Sequence, residues 1–404
     1  FTKLRAAGSP VKTTNTESTG PIPFMKMIDT ALFAVSRKGK KAGAATIYME
    51  NWHLNFGQFI DLRSNSGDPY MRTRFANTAV FISDEFMKRV QKDQDWYLFD
   101  PAETPDLPEL YGEEFSARYK EYIKLAEAGK LRVFEKMSAR QQFKQILTSL
   151  QATSHPWLTW KDTINVRALN NNTGTIHLSN LCTEITLPQD KDNIATCNLI
   201  SINLSAFLRE DKTWDWDRLQ EASRAAIRQL DNLIDITETP VKEAMHANQQ
   251  TRAVGLGMMG FSDVLEKLGY CYESNEAYEL IDQLTEFISY HAIDQSADLA
   301  AKLGSYPTYK GSGWSKGILP IDTVAELSNN RKVKVKIDSK TRLDWDKLRK
   351  KVKKGMRNAT LMAIAPTANI GHVVGTTPGI DPQFAQIFSR STLNGKFLEV
   401  NNNL

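Results

Sequence analysis

Three short apolar runs, at residues 44–49, 79–82 and 199–204, constrain the architecture of this chain more than any other feature. Each reads as a buried strand. Helical segments separate them, at residues 24–35, 113–128, 139–153, 215–236 and 275–303, and another follows Ser83, with Asp84 and Glu85 in its first turn. Ser274 and Gly304 bracket the 275–303 helix as N-cap and stop, and its length leaves room for a kink. Strands alternating with helices predict an α/β fold with parallel strands. At 404 residues the chain can bury a large core, as one α/β unit or as two or three domains.

Composition removes several function classes. Hydrophobic residues at 41% and charged residues at 24% describe an ordinary soluble protein, and a net charge of +4 is too small to argue for nucleic acid. Residues 331–354 concentrate twelve basic and three acidic side chains, but only Trp345 could stack on a base, so a solvated hairpin and helix is expected there. No apolar run is long enough to span a bilayer, and no secretory signal is present. Three cysteines without C-x-x-C spacing argue against a disulfide scaffold or zinc site, and fit a reducing, cytoplasmic compartment. Residues 1–23 read as loop and 98–135 as a charged surface excursion. Gly255-Leu256-Gly257-Met258-Met259-Gly260 fits the dinucleotide fingerprint, yet only Arg252-Ala253-Val254 precedes it as strand and Glu273 or Glu276 is a loose acidic match. It reads as scaffold.

Chemistry concentrates near the middle. Asn180, Cys182 and Glu184 stand two apart, and in extended backbone their side chains point the same way. A thiol can exchange a hydrogen atom, a carboxylate can take a proton and an amide can hold a hydroxyl. The same spacing also fits a half-buried strand with a wet polar face. Beyond spacing, Asn180-Leu181-Cys182-Thr183-Glu184-Ile185, with Ala195-Thr196-Cys197-Asn198-Leu199 after it, resembles the active-site loop of the class I ribonucleotide reductase large subunit. Arg5-Ala6-Ala7-Gly8-Ser9-Pro10 is similar to that family's first effector loop, and Gly43-Ala44-Ala45 and Tyr48-Met49-Glu50-Asn51-Trp52-His53-Leu54 to the segment after its second. Arg357-Asn358-Ala359-Thr360 and Ala365-Pro366-Thr367-Ala368-Asn369 resemble its phosphate-binding turn, and the likeness extends to Ser391-Thr392-Leu393-Asn394-Gly395.

The resemblance implies a ten-stranded α/β barrel, incomplete here, with a central finger loop carrying the reactive cysteine and residues 1–404 forming the catalytic barrel domain. It implies Cys182 as the thiyl radical position, Glu184 as base for the 3′-hydroxyl and Asn180 as holder of the ribose hydroxyls. Cys197 would be one of two cysteines supplying electrons, while Cys271 matches no family position and reads as structural. Ser9, Gly39, Asn180, Glu184 and Pro366, Thr367, Ala368, Asn369 and Ile370 would bind substrate, the last five as a turn after a strand at 360–365. Ile370 stands where the family often has a hydroxyl. Arg5, Arg37 and Lys41 would contact dNTP or ATP effectors, although Arg37, Lys38 and Lys40 depart from the family's glycine-rich loop.

No cofactor bound to this chain is implied; a metal-containing small subunit would supply the radical. Other implied partners are a second copy of the chain, a nucleoside diphosphate, and thioredoxin or glutaredoxin as reductant. A chain starting at Phe1 without methionine reads as a fragment, with the second redox cysteine and a paired tyrosine relay outside it, so no turnover is expected from it alone. A non-catalytic nucleotide-binding piece and a cobalamin-dependent reductase are the competing readings.

Overall fold

The computed structural model describes residues 1–36, 42–383, 385–392, 395–401 and 403, and its mixture of strands and helices bears out the α/β expectation. It divides into two compact units. The first comprises Phe1–Arg167, Thr175–Thr186 and Val324–Val335; the second comprises Ala168–Gly174, Leu187–Thr323 and Lys336–Leu404.

In the first unit, β1 (Ala7–Val11) and β2 (Thr16–Thr19) form an antiparallel pair. Behind them in sequence come β3 (Ala45–Glu50), β4 (Ala76–Ile82), β5 (Asp95–Phe99), β6 (Phe134–Ser138) and β7 (Trp157–Trp160). β3, β4 and β7 pair in parallel in that order, with Tyr48 opposite Ala79, whereas β5 and β6 are antiparallel. β4 is buried almost throughout, which is why its second half, Ala79–Ile82, is continuously apolar rather than alternating. Ser83 accepts the Phe86 N–H at 3.3 Å and opens the helix Asp84–Lys92, as its sequence indicated. Helix Ala139–Thr153 also lies where periodicity put it.

Residues 98–135 are not a surface excursion. Helix Gly112–Glu127 inserts Phe115, Tyr119 and Tyr122 into a core rich in aromatic rings, among them Trp52, Phe56, Phe59, Trp96 and Phe99. Tyr119 stacks on Trp96 with centroids 4.4 Å apart, and its hydroxyl donates to the Tyr97 carbonyl at 2.8 Å. The charges that suggested solvent occupy the other face of that helix.

The second unit has a mainly aliphatic core. Its β8 (Leu199–Asn203) and β9 (Gly255–Met259) are parallel, and β10 (Ile387–Thr392) pairs antiparallel with β11 (Gly395–Val400). Helices Trp216–Ile236 and Asn275–Leu303 supply much of the packing. The latter is one continuous helix, with the Ser274 hydroxyl accepting the Ala277 N–H at 3.2 Å and Gly304 at its end. Among the described residues the strands do not close into a barrel.

Two further expectations need correction. Residues 360–365 form only a bridge, between Met362 and Leu256, because pairing with β9 is confined to a few bonds around Leu256. Residues 331–354 hold a helix, Trp345–Val352, but no hairpin. Many of their cations are paired instead: Arg342 with Asp282 and Glu286, Arg349 with Asp322, Lys351 with Asp294 and Asp298. The first two glycines of the Gly255–Gly260 motif lie inside β9 and only Gly260 follows it, so the motif does not form the loop after a strand that a phosphate cradle needs. A Cβ on Gly257 would stand 2.5 Å from the Ala363 carbonyl oxygen, and one on Gly255 would stand 2.8 Å from the Ala363 Cβ. Gly257 admits the neighbouring backbone of residues 363–365, and Gly255 admits the Leu199 and Ala363 side chains.

Candidate active site

The segment expected to be extended is a turn. Residues 181–183 reverse the chain, with the Thr183 N–H donating to the Asn180 carbonyl at 3.3 Å and Thr183 held at φ 67°. Asn180, Cys182 and Glu184 still converge, but through curvature rather than alternation. The Asn180 amide closes the turn from within: its Nδ2 donates to the Glu184 carboxylate at 2.6 Å, and its Oδ1 accepts the Ile185 N–H at 3.0 Å. Ser179 donates to the Ile185 carbonyl at 2.5 Å, fastening the base of the loop. Cys182 is left exposed at the apex.

Electrostatics suit a hydrogen-atom donor better than a nucleophile. Partial burial, and then the neighbouring Glu184 charge, raise the Cys182 thiol above its ordinary value. A reactive nucleophilic cysteine shows the opposite, a depressed value that populates thiolate. Here the S–H bond is retained at neutral pH.

Tyr48 of β3, quoted in the sequence only as part of a motif, belongs to this cluster. Its hydroxyl donates to the Asn180 carbonyl at 3.1 Å, and burial above all, with added charge from Glu184 and Cys182, pushes its phenol up to about 12. No sequence signal distinguishes this tyrosine from a core aromatic; only the tertiary contact does.

Ser9 in β1 is 2% exposed, and its hydroxyl has no hydrogen-bond partner among the described residues. A buried hydroxyl left unpaired in a native fold calls for an explanation, and a ligand is one. The loop before it is pinned by Asp100, which accepts the Ala6 N–H, and by Asn55, which accepts the Ala7 N–H, both at 3.0 Å. Arg5 is exposed and donates to the Pro10 carbonyl at 3.0 Å. Gly39, Arg37 and Lys41 lie outside the described residues.

The second unit carries the remaining candidates. Cys197 is exposed, and Thr196 before it lines a cavity of about 430 Å³. Helix Ala368–Val374 begins at Thr367, whose buried hydroxyl accepts the Gly379 N–H at 2.8 Å. Pro366, Ala368, Asn369 and Ile370 are exposed around that start, and Ala368 borders a cavity of about 950 Å³. The first amides of any helix lack partners within it. Cys271 is exposed, not a packing residue, because it sits in a loop turn before helix Asn275–Leu303. Among the described residues no group of three or more His, Cys, Asp or Glu side chains is placed to hold a metal ion, and no helix is long and apolar enough to cross a membrane.

Comparison with known proteins agrees with these motifs. Residues 1–404 match the family model described as ribonucleotide reductase, barrel domain. The chain is 44% identical over 399 residues to the ribonucleoside-diphosphate reductase subunit alpha of Chlamydia muridarum, covering 98% of this chain and 38% of that protein. It is 38% identical to the large subunit of Caenorhabditis elegans over 99% of this chain and 49% of the relative, and 35% identical to that of Arabidopsis thaliana over 99% and 50%. It thus spans half or less of the length of these relatives. With a full-length model match and the cysteine turn in place, the chain belongs to the ribonucleotide reductase barrel-domain family.

Proposed function

We propose that this chain is the catalytic part of a ribonucleoside-diphosphate reductase large subunit, folding as a single catalytic domain whose strands contribute to a ten-stranded barrel around a finger loop that ends in Cys182. The observation that carries this reading is the turn itself, with an exposed thiol at its apex and the Asn180–Glu184 hydrogen bond at 2.6 Å beneath it.

The ribose 2′-hydroxyl is a poor leaving group at neutral pH, so the sugar is first activated. Cys182, as a thiyl radical, takes the 3′-hydrogen atom, and Glu184 takes the 3′-hydroxyl proton. Asn180 holds the ribose hydroxyls and keeps Glu184 aimed. The 2′-hydroxyl then departs as water. Two electrons and two protons come from a pair of thiols, Cys197 being one, which close as a disulfide; Cys182 returns its hydrogen to C3′. The net change is one ribonucleotide and two thiols converted to one deoxyribonucleotide, one disulfide and one water. A metal-containing small subunit supplies the radical, and thioredoxin or glutaredoxin re-reduces the disulfide.

The diphosphate sits at the amides of Ala368, Asn369 and Ile370 beside Pro366 and Thr367. Ser9 of the first unit, with its unpaired buried hydroxyl, is a substrate-binding candidate in its own right. Gly39 belongs to the loop expected to adjust to substrate, while Arg5, Arg37 and Lys41 serve dNTP or ATP effectors. Self-association is supported by helix Ile22–Val35, which leaves Phe24, Met27, Phe33 and Val35 exposed. The compartment is cytoplasmic.

The test is Cys182→Ser in the full-length enzyme. Deoxynucleotide formation should vanish while thermal stability and nucleotide binding stay near wild type, because an O–H bond is too strong to replace S–H. Measurable turnover would sink the assignment.

A further inference from the structure

The turn bearing Cys182 is gripped at its carbonyls by one face of β3. Side chains two apart on a strand share a face, and Thr46, Tyr48 and Glu50 form such a row. The Thr46 hydroxyl donates to the Leu181 carbonyl at 3.4 Å and the Tyr48 hydroxyl to the Asn180 carbonyl at 3.1 Å. Glu50, next in the row, is fixed by Lys161, whose ammonium lies 2.9 Å from both carboxylate oxygens and also donates to the carbonyls of Leu107 and Pro108. Two consecutive carbonyls of the turn are therefore held by a strand that is itself immobilised.

We propose that Tyr48 is a positioning residue for Cys182, its hydroxyl holding the Asn180 carbonyl, with help from Thr46, so that the thiol stays over the Asn180–Glu184 pair. The proposal rests on the reading of Cys182 as the reactive thiol. Three observations support it. The Asn180 carbonyl is the same oxygen that closes the turn by accepting the Thr183 N–H, so Tyr48 acts at the hinge of the reversal. Thr183 has a positive φ, a conformation that costs a β-branched residue free energy and persists only where the surroundings enforce it. The Tyr48 ring meets Phe81 edge-on, centroids 6.4 Å apart, so the phenol arrives from a packed base. Its raised value keeps the hydroxyl a donor across the working pH range.

Tyr48→Phe in the full-length enzyme with its radical-supplying partner tests this, since it removes the donor and keeps the ring. Losing one hydrogen bond of ordinary worth should lower kcat about five- to tenfold, with KM within about twofold. The melting temperature should stay within about 2 °C. Alkylation of Cys182 by iodoacetamide, read by peptide mass spectrometry, should rise several-fold, while that of Cys271 should not change. Thr46→Val should move kcat and alkylation the same way by less, and it carries the test if Tyr48→Phe does not fold. Wild-type alkylation and kcat in these variants would overturn the proposal. So would a rise shared by Cys271 or a large fall in melting temperature, which mark general loosening. If Cys182→Ser still turned over, the reading of the thiol would fail, but the alkylation result needs no turnover and would still decide whether Tyr48 anchors the turn.

Discussion

The turn at 180–184 and the turn at 366–370 both carry candidate site residues, and they are built from different materials. The first is closed by side chains, with Asn180 bonding Glu184 and the Ile185 amide, Ser179 bonding the Ile185 carbonyl, and Tyr48 gripping from β3. The second is shaped by backbone: Thr367 fixes Gly379, glycines in β9 let residues 363–365 approach, and most of its own side chains face outward. The difference follows from what each must present. A reacting sulfur has to occupy one place, which takes directional side-chain bonds. An anion is met by amides that every residue has, so side-chain identity matters less.

The largest effect should come from the support under the first turn. Lys161 is fully buried, and Lys161→Met would leave the Glu50 carboxyl without its counter-charge. A loss of about 3–5 kcal/mol is expected. Thermal and denaturant unfolding of the full-length protein would measure it, and a loss under about 1 kcal/mol would break the claim that β3 is a rigid base. An intermediate effect is expected in the second turn. Thr367→Ala strands the buried Gly379 N–H and should cost about 1–3 kcal/mol. No effect would mean that backbone spacing alone sets that turn. The smallest concerns Ile370, which is 49% exposed. Ile370→Ser should shift stability by no more than about 0.5 kcal/mol. Calorimetry should show nucleoside diphosphate binding tighter than nucleoside in both wild type and variant. Equal affinities would remove the phosphate site and with it the contrast between the turns.

The elements readable from sequence were those whose cause is local. Ser83 and Ser274 cap because a hydroxyl meets an amide three residues on, and β4 reads as a strand because both of its faces are buried. Residues 98–135 misled because charge dominates their count while Phe115, Tyr119 and Tyr122, spaced along one helix face, decide their packing. At the site, residue identities were readable and geometry was not. Asn180, Cys182 and Glu184 stand out by their family resemblance, whereas the strand alternation expected to align them is absent from the turn. Tyr48 went unassigned because its partner carbonyl lies 132 positions away. The pairing of 360–365 with β9 was overestimated, since a few bonds around Leu256 suffice to seat it without a full ladder.

The glycines of β9 act as a spacer defined by missing atoms. With no Cβ at Gly257, the distance between β9 and residues 363–365 is set by backbone contact, the shortest length a protein can specify. Helix Ala368–Val374 starts three residues after that stretch, so its first amides inherit a position referenced to the sheet with little intervening slack. A ruler of this kind has no rotamers to sample and no side chain to thermally blur. A sequence pattern resembling a nucleotide signature would then matter for calibration, setting at a distance where a phosphate could be met without touching it.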